Sequence, residues 1–259
     1  MPMELGLDGK VVLVTGGVRG VGAGITAAFL AAGAQVVTCA RRPPEHPAGE
    51  AAFLPCDVRD PAQVERMIGE LTGRYGRLDV LVNNAGGAPY AEAAAASDRF
   101  HEKVVALNLL APLTVARCAN AVMRQQDSGG AMVNISSVSG TRPSPGTASY
   151  GAAKAGLASL TESLAVEWAP KVRVNALAVG MVRTEQAELH YGDAAGVEAV
   201  GSTVPLGRLA EPSEIGACAV FLASPLASYV SGACLTVHGG GELPAFLAAS
   251  TAKTAEERG

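Results

Sequence analysis

The chain has 259 residues, 49% of them hydrophobic, which suits one large α/β domain better than two small ones and supplies a sizeable core. A formal net charge of -4 without a long basic run argues against a nucleic-acid partner. The five cysteines lack CxxC spacing and the four histidines are scattered, so free thiols in a reducing, cytoplasmic setting are expected, and no metal site.

The first ten residues, "MPMELGLDGK", lack a basic stretch followed by an apolar run, so no secretory leader is expected. "KVVLVT" (10–15) reads as a first strand and residues 20–32 as a helix closed by Gly33. "AQVVTCA" (34–40) is a second strand, ending at Arg41 and Arg42. "AAFLPCDV" (51–58) carries a short third strand. Asp60 and Pro61 then open a helix with a cap residue and a first-turn proline. "LDVLVNNAG" (78–86) contains a fourth strand, and one long helix is expected over about 97–124. "AMVNISS" (131–137) and "VRVNALA" (172–178) are strands flanking a helix over about 148–168, which Pro170 stops. Residues 215–241 carry no charge (histidine counted neutral), which raises the question of a membrane span. Gly216, Pro225, Gly232 and the run Gly239 to Gly241 break them, so a buried helix, a turn and a buried strand, "CLTVHG", are expected instead. Strands separated by helices throughout imply a Rossmann-type, doubly wound parallel sheet of about seven strands with helices on both faces. The expected organisation is a single domain over 1–259, with its core at about 7–241 and a C-terminal tail over 242–259 that is loosely held at its end.

The turn "TGGVRGVG" joins the first strand to the first helix and places glycines at Gly16, Gly20 and Gly22, with Arg19 and Val21 between them. The spacing is not GxGxxG, but the logic is the same: a tight turn lets backbone approach a pyrophosphate at a helix N-terminus. The acidic residue expected at the end of the second strand to hold a ribose hydroxyl is absent. Arg41 stands there, and a guanidinium suits a 2′-phosphate. Arg19 converges on the same place, while Arg42 reads as solvated. The expected cofactor is NADP(H) in preference to NAD(H). Asp57, with Val58 beside it, is a candidate acceptor for an adenine amino group. Its other reading, as a helix-entry residue, is better filled by Asp60. In "SYGAAK", Tyr150 and Lys154 share one helix face. An ammonium beside a phenol favours the phenolate, which makes the pair a candidate acid/base for an alcohol oxygen. Ser137 ends a strand on the side where strand ends of a parallel sheet converge.

"TGGVRGVG", "NNAG" (83–86), Asn108 in "ALNLL", Ser137 and "YGAAK" stand in an order and spacing that resembles the short-chain dehydrogenase/reductase family, over about 7–241. The resemblance implies hydride transfer between a nicotinamide and a ketone or secondary alcohol. Tyr150 would be the general acid/base, and Lys154 its partner and a holder of the nicotinamide ribose. Ser137 would hold the substrate oxygen; its neighbour Ser136 should point to the opposite side of the strand. Asn108 would hold a water that links Lys154 to solvent. Asn83, Asn84, Ala85 and Gly86 would shape the crevice beside the adenosine ribose, while Gly180, Val182 and Thr184 would meet the nicotinamide carboxamide. The resemblance also implies a homotetramer, or a dimer. Val179 stands where the family usually has proline, which leaves the following loop less rigid. That loop, about 184–205, reads as a lid containing Leu189, His190 and Tyr191. His190 is either a substrate contact or a solvated residue. The expected substrate is an apolar carbonyl or alcohol: a 3-oxoacyl thioester, a steroid or an alicyclic ketone. The alternative function is a catalytically silent nucleotide-binding sensor on the same fold. A sugar-nucleotide epimerase is disfavoured, because the chain has no room for the extra domain such proteins carry.

Overall fold

The computed structural model describes residues 4–44 and 49–251. The far end of the tail, expected to be loosely held, lies outside them. Seven strands form one sheet: β1 (Val11–Thr15), β2 (Gln35–Ala40), β3 (Ala52–Pro55), β4 (Val80–Asn83), β5 (Gly130–Ser137), β6 (Val172–Val179) and β7 (Cys234–Val237). Their order is β3-β2-β1-β4-β5-β6-β7 and every pairing is parallel. The chain runs outward through β2 and β3, then returns to build the other half from β4. The order therefore reverses between β1 and β4, and a crevice opens beyond their C-terminal ends.

Apolar side chains leave both faces of the sheet and need cover on both. One face is covered by α2 (Pro61–Tyr75), α4 (Ala111–Met123) and α5 (Ala148–Trp168), which bury Val64, Leu71, Val115, Ala119 and Leu164 against β1, β4 and β5. The other is covered by α1 (Gly20–Ala31) and α8 (Pro212–Ala223), which bury Ile25, Phe29, Ile215 and Ala219. These two helices touch through glycine. A β-carbon on Gly24 would lie 2.4 Å from Pro212, and one on Gly216 would lie 2.6 Å from the Gly24 carbonyl.

The structure departs from the sequence reading in two places. The long helix over 97–124 is not uniform. α3 (Asp98–Val105), capped by Ser97, passes into a π-helical turn over Ala106–Leu110 before α4 begins. Alanine and leucine carry no mark of such a turn, so the run reads as continuous helix. The stretch Asp98–Met123 is also long and apolar enough to cross a bilayer by length and composition, but one face of it is buried on the sheet. The second departure is β7. It is not a buried strand but a sheet edge, with Leu235 38% exposed, because β6 pairs with one side of it and, among the described residues, nothing pairs with the other. The expected lid folds as α6 (Ala187–Tyr191) and α7 (Ala194–Ser202), and the tail adds a short α9 (Ala245–Ala249).

Candidate functional site

The crevice is built around Thr15, the last residue of β1. Its Oγ1 accepts from the backbone N–H groups of Asn84 and Ala85, each at 3.0 Å, so the end of β1 is tied to the loop after β4. Asn84 returns the tie: its Nδ2 donates to the carbonyls of Thr15 at 2.9 Å and Gly16 at 3.1 Å. The glycine turn is packed to its limit against this knot. A β-carbon on Gly22 would stand 2.1 Å from the Gly16 oxygen and 2.5 Å from Asn84 Nδ2. Gly16 and Gly20 have φ of 65° and 52°, the left-handed region that glycine reaches without strain. Val21 packs inward against the core beneath α1, and Ala85 against the opposite core.

Arg19 is the N-cap of α1, and its side chain is exposed. Arg41 is exposed just beyond β2. Among the described residues neither guanidinium, nor that of Arg42, has a hydrogen bond or ion pair. Asp57 is not left open. Arg59 grips both of its oxygens, through Nε at 2.9 Å and Nη2 at 2.6 Å. That bond, more than the nearby Arg41 charge, holds the Asp57 carboxyl below its ordinary range. Arg59 was not singled out from the sequence, where it looks like any residue in a helix-entry turn. Asp60 caps α2 as expected, accepting from Ala62 and Gln63. Val58 is buried in the core.

Ser137 ends β5, and Tyr150 and Lys154 sit on the first turns of α5. The Tyr150 phenol is close enough to the Ser137 hydroxyl for that group to favour the phenolate. Ser136 points the other way and donates to the Lys154 carbonyl at 3.0 Å, as the alternation of a strand requires. Lys154 is 4% exposed and donates from Nζ to the Ile135 carbonyl at 2.7 Å. Burial lowers its pKa to about 8. The ammonium stands 5.5 Å from the centre of the Tyr150 ring. Burial raises the Tyr150 phenol, and the nearby Ser137 hydroxyl opposes this.

Asn108 lies at the centre of the π turn, where Ala111 N–H donates to the Ala106 carbonyl. Its side chain bonds at both its oxygen and its nitrogen. Oδ1 accepts from Gly87 N at 2.8 Å, and Nδ2 donates to the carbonyls of Gly87 and Val104, both at 2.9 Å. The amide thus clamps the loop after β4. Gly86 fits between this clamp and the lysine: a β-carbon there would lie 2.7 Å from Asn108 Oδ1 and 3.3 Å from Lys154 Nζ. Asn83 faces the interior instead of the crevice, donating to Asn134 and to the Pro112 carbonyl.

Val179 completes β6 between Ser137 and Val237. Gly180 then packs on His238, with room for no β-carbon, since one would fall 2.8 Å from that residue's own. The loop after it is held by a bridge from Val182 to Ala210, despite the missing proline. Thr184 lies against Gly20, and the next residue, Glu185, accepts from Gly20 N–H at 3.2 Å. A carboxylate therefore takes one of the N–H groups at the start of α1, where an anion is favoured. Nothing in the sequence signals that contact. His190 is exposed, whereas Tyr191 is half-buried and close enough to Tyr150 to affect its phenol. Among the described residues no group of side chains suits a metal ion.

A family model described as Enoyl-(Acyl carrier protein) reductase matches residues 16–242. The chain belongs to the short-chain dehydrogenase/reductase family. It is accordingly an oxidoreductase, and its relatives use nicotinamide cofactors. It is 38% identical over 247 residues to an L-fucose dehydrogenase of Oryctolagus cuniculus, covering 91% of this chain and 86% of that one. It is 34% identical over 244 residues to a 3-oxoacyl-[acyl-carrier-protein] reductase of Thermotoga maritima, covering 90% and 98%. The ligand-free aldohexose dehydrogenase of Thermoplasma acidophilum superposes with a TM-score of 0.87 at 30% identity, covering 97% of this chain and 99% of that one. In this dehydrogenase/reductase the glycines fit a dinucleotide-binding turn: Gly16 and Gly20 take the positive φ that the tight turn needs, and Gly22 lets α1 start close against Gly16 and Asn84.

Proposed function

We propose that this chain is an NADP(H)-dependent oxidoreductase that interconverts a secondary alcohol and a carbonyl, with a neutral polyhydroxylated compound, a sugar or polyol, as substrate. The observation that carries the reaction is the meeting of Ser137, Tyr150 and Lys154 at the C-terminal end of β5. Gly16, Gly20 and Gly22 would seat the pyrophosphate, Arg19 and Arg41 the 2′-phosphate, and Lys154 the nicotinamide ribose. Arg59 neutralises Asp57, a carboxylate near enough to feel the Arg41 charge, and so weakens an anion that would repel the phosphate. Asn84, Asn108 and Thr15 are positioning residues that keep the crevice walls together.

A bound nicotinamide supplies or accepts the hydride. Ser137 holds the substrate oxygen by a hydrogen bond. Tyr150 donates a proton to that oxygen during reduction and removes one during oxidation. The Lys154 ammonium, held by Ile135, stabilises the phenolate as it forms.

The substrate reading rests on the cleft beside Ser137. It encloses 270 Å³, and Thr141, Arg142, His238 and Glu242 outnumber the apolar Val138 and Met181 in its lining. These four side chains offer groups that a hydroxylated ligand can bond and that the apolar ketones expected from the sequence would leave unused. The sugar dehydrogenases among the relatives support this, although the relative named as an acyl reductase does not. We further propose a homotetramer, or a dimer, on the strength of the bare β7 edge and exposed Val166, Leu110 and Tyr229.

Turnover of a polyol and sugar panel with NADP⁺ and with NAD⁺ tests the assignment. Tyr150→Phe is expected to lower turnover by about 10²–10⁴-fold. Arg41→Asp is expected to shift preference toward NAD⁺ by about one to two orders of magnitude. Tighter binding of NADH than NADPH by the wild type would overturn the cofactor assignment. Dinucleotide binding without turnover of any alcohol or carbonyl would favour the silent sensor.

A further inference from the structure

Two segments far apart in the chain meet over the cleft. Arg142 follows the short turn after Ser137, and Glu242 follows β7. Their ion pair, from Arg142 Nη2 to Glu242 Oε1, joins positions 100 residues apart. Arg142 Nη1 also donates to the Pro143 carbonyl at 3.0 Å. Both side chains remain 39% exposed. Among the described residues, Glu242 Oε2 and the remaining Arg142 N–H groups have no partner. Both residues line the 270 Å³ cavity, so the pair brings an open acceptor and open donors to its wall, side by side and with no net charge. Tyr191 connects this end of the cavity to the chemistry, since its phenol is affected by Arg142 and Glu242 and in turn affects Tyr150.

The chemistry of the pair discriminates among ligands. An apolar ligand laid on it would take water from two charges and return nothing. An anionic ligand would gain from Arg142 and lose to Glu242. A neutral hydroxyl both donates and accepts, so two neighbouring hydroxyls can take the Glu242 oxygen and an Arg142 N–H together. We propose that Arg142 and Glu242 form a neutral, two-sided clasp that binds adjacent hydroxyls of the substrate, away from the one held by Ser137 and Tyr150, and that this clasp sets the preference for polyols over simple alcohols. The inference rests on the polyhydroxylated-substrate reading given above.

The test compares kcat/KM for pentitols and hexoses, their monodeoxy counterparts, and cyclohexanol as the apolar control, each with NADP⁺. In the wild type, loss of one of the clasped hydroxyls is expected to lower kcat/KM by about 10–100-fold. Glu242→Gln and Arg142→Met should each lower the polyol-to-cyclohexanol ratio of kcat/KM by a similar factor, mainly through KM. The exchanged pair, Arg142→Glu with Glu242→Arg, should recover most of that ratio, because it restores one donor and one acceptor in the same place. NADPH binding by calorimetry verifies that each variant is folded. If polyols and cyclohexanol lose activity equally in the single variants, the pair only braces the loop and the clasp is overturned, while the substrate reading stands. If the wild type turns over cyclohexanol or an acyl thioester but no polyol, the substrate reading fails and takes the clasp with it.

Discussion

Lys154 and Tyr150 obtain their places in the crevice at a cost in solvation, and that cost has a pH dependence. The Lys154 pKa is lowered to about 8, so below that pH the folded state carries a buried charge that the unfolded state would give to water. The penalty is fully present below pH 8. It is relieved as pH rises from there toward the ordinary lysine value, because in that window the unfolded state holds the proton and the folded state does not. Lys154→Met, which keeps the bulk and drops the charge, should therefore unfold at higher urea than wild type at pH 7, by about 1–3 kcal/mol. The gain should shrink toward pH 10; a gain that stayed constant with pH would locate the effect in packing. Tyr150 is raised by burial, so an absorbance titration of ligand-free wild type minus Tyr150→Phe should place its ionisation above that of exposed tyrosine. A step below about pH 10 would contradict this.

At the scale of elements, ties made by polar side chains hold the helices and loops in register around the crevice. Asn108 owes its clamp on Gly87 to the π turn, which rotates the amide toward the loop after β4. Arg173, on β6, does comparable work at the far end of the sheet. Its guanidinium donates to the carbonyls of Leu222, Ala223, Ser224 and Val230, satisfying the end of α8 and the turn that leads to β7. Arg173→Met removes these bonds and leaves carbonyls without donors, so a loss of about 3 kcal/mol is expected in urea unfolding. Arg173→Lys should recover only part of it, because one ammonium cannot span acceptors that a planar fork reaches together. Full recovery by lysine would mean that charge at the helix end, and not geometry, is what stabilises it.

At the scale of the molecule, the exposed edge at β7 is the least finished part of the fold. Among the described residues no strand pairs with its outer side, and Leu235 and Tyr229 are exposed there. Sheet edges of this kind associate unless charge or proline prevents it, and "CLTV" contains neither. Leu235→Lys is expected to lower the mass measured by light scattering at micromolar concentration while leaving NADPH binding intact. A monomeric wild type would remove the basis for the proposed assembly.

The order of elements was legible in the sequence because strand and helix periods differ and because glycine and proline mark the joints. The glycine turn, the Tyr150 and Lys154 face of α5 and the opposite orientations of Ser136 and Ser137 follow from local spacing alone. Other features depend on what lies across the fold, and no local pattern carries them. Asn108 apart, the π turn is written in alanine and leucine, as an ordinary helix would be. Asp57 reads as an open acceptor until Arg59 folds back onto it. Arg142 and Glu242 are unremarkable surface charges until β5 and β7 bring them together. The sequence by itself determined the doubly wound sheet and the placing of Tyr150 and Lys154 on one helix face, since both rest on periodicity and short-range geometry. Only the tertiary structure decided how deeply Lys154 is buried and which distant side chains line the cleft after Ser137, because burial and long-range contact arise only when distant segments close around the site.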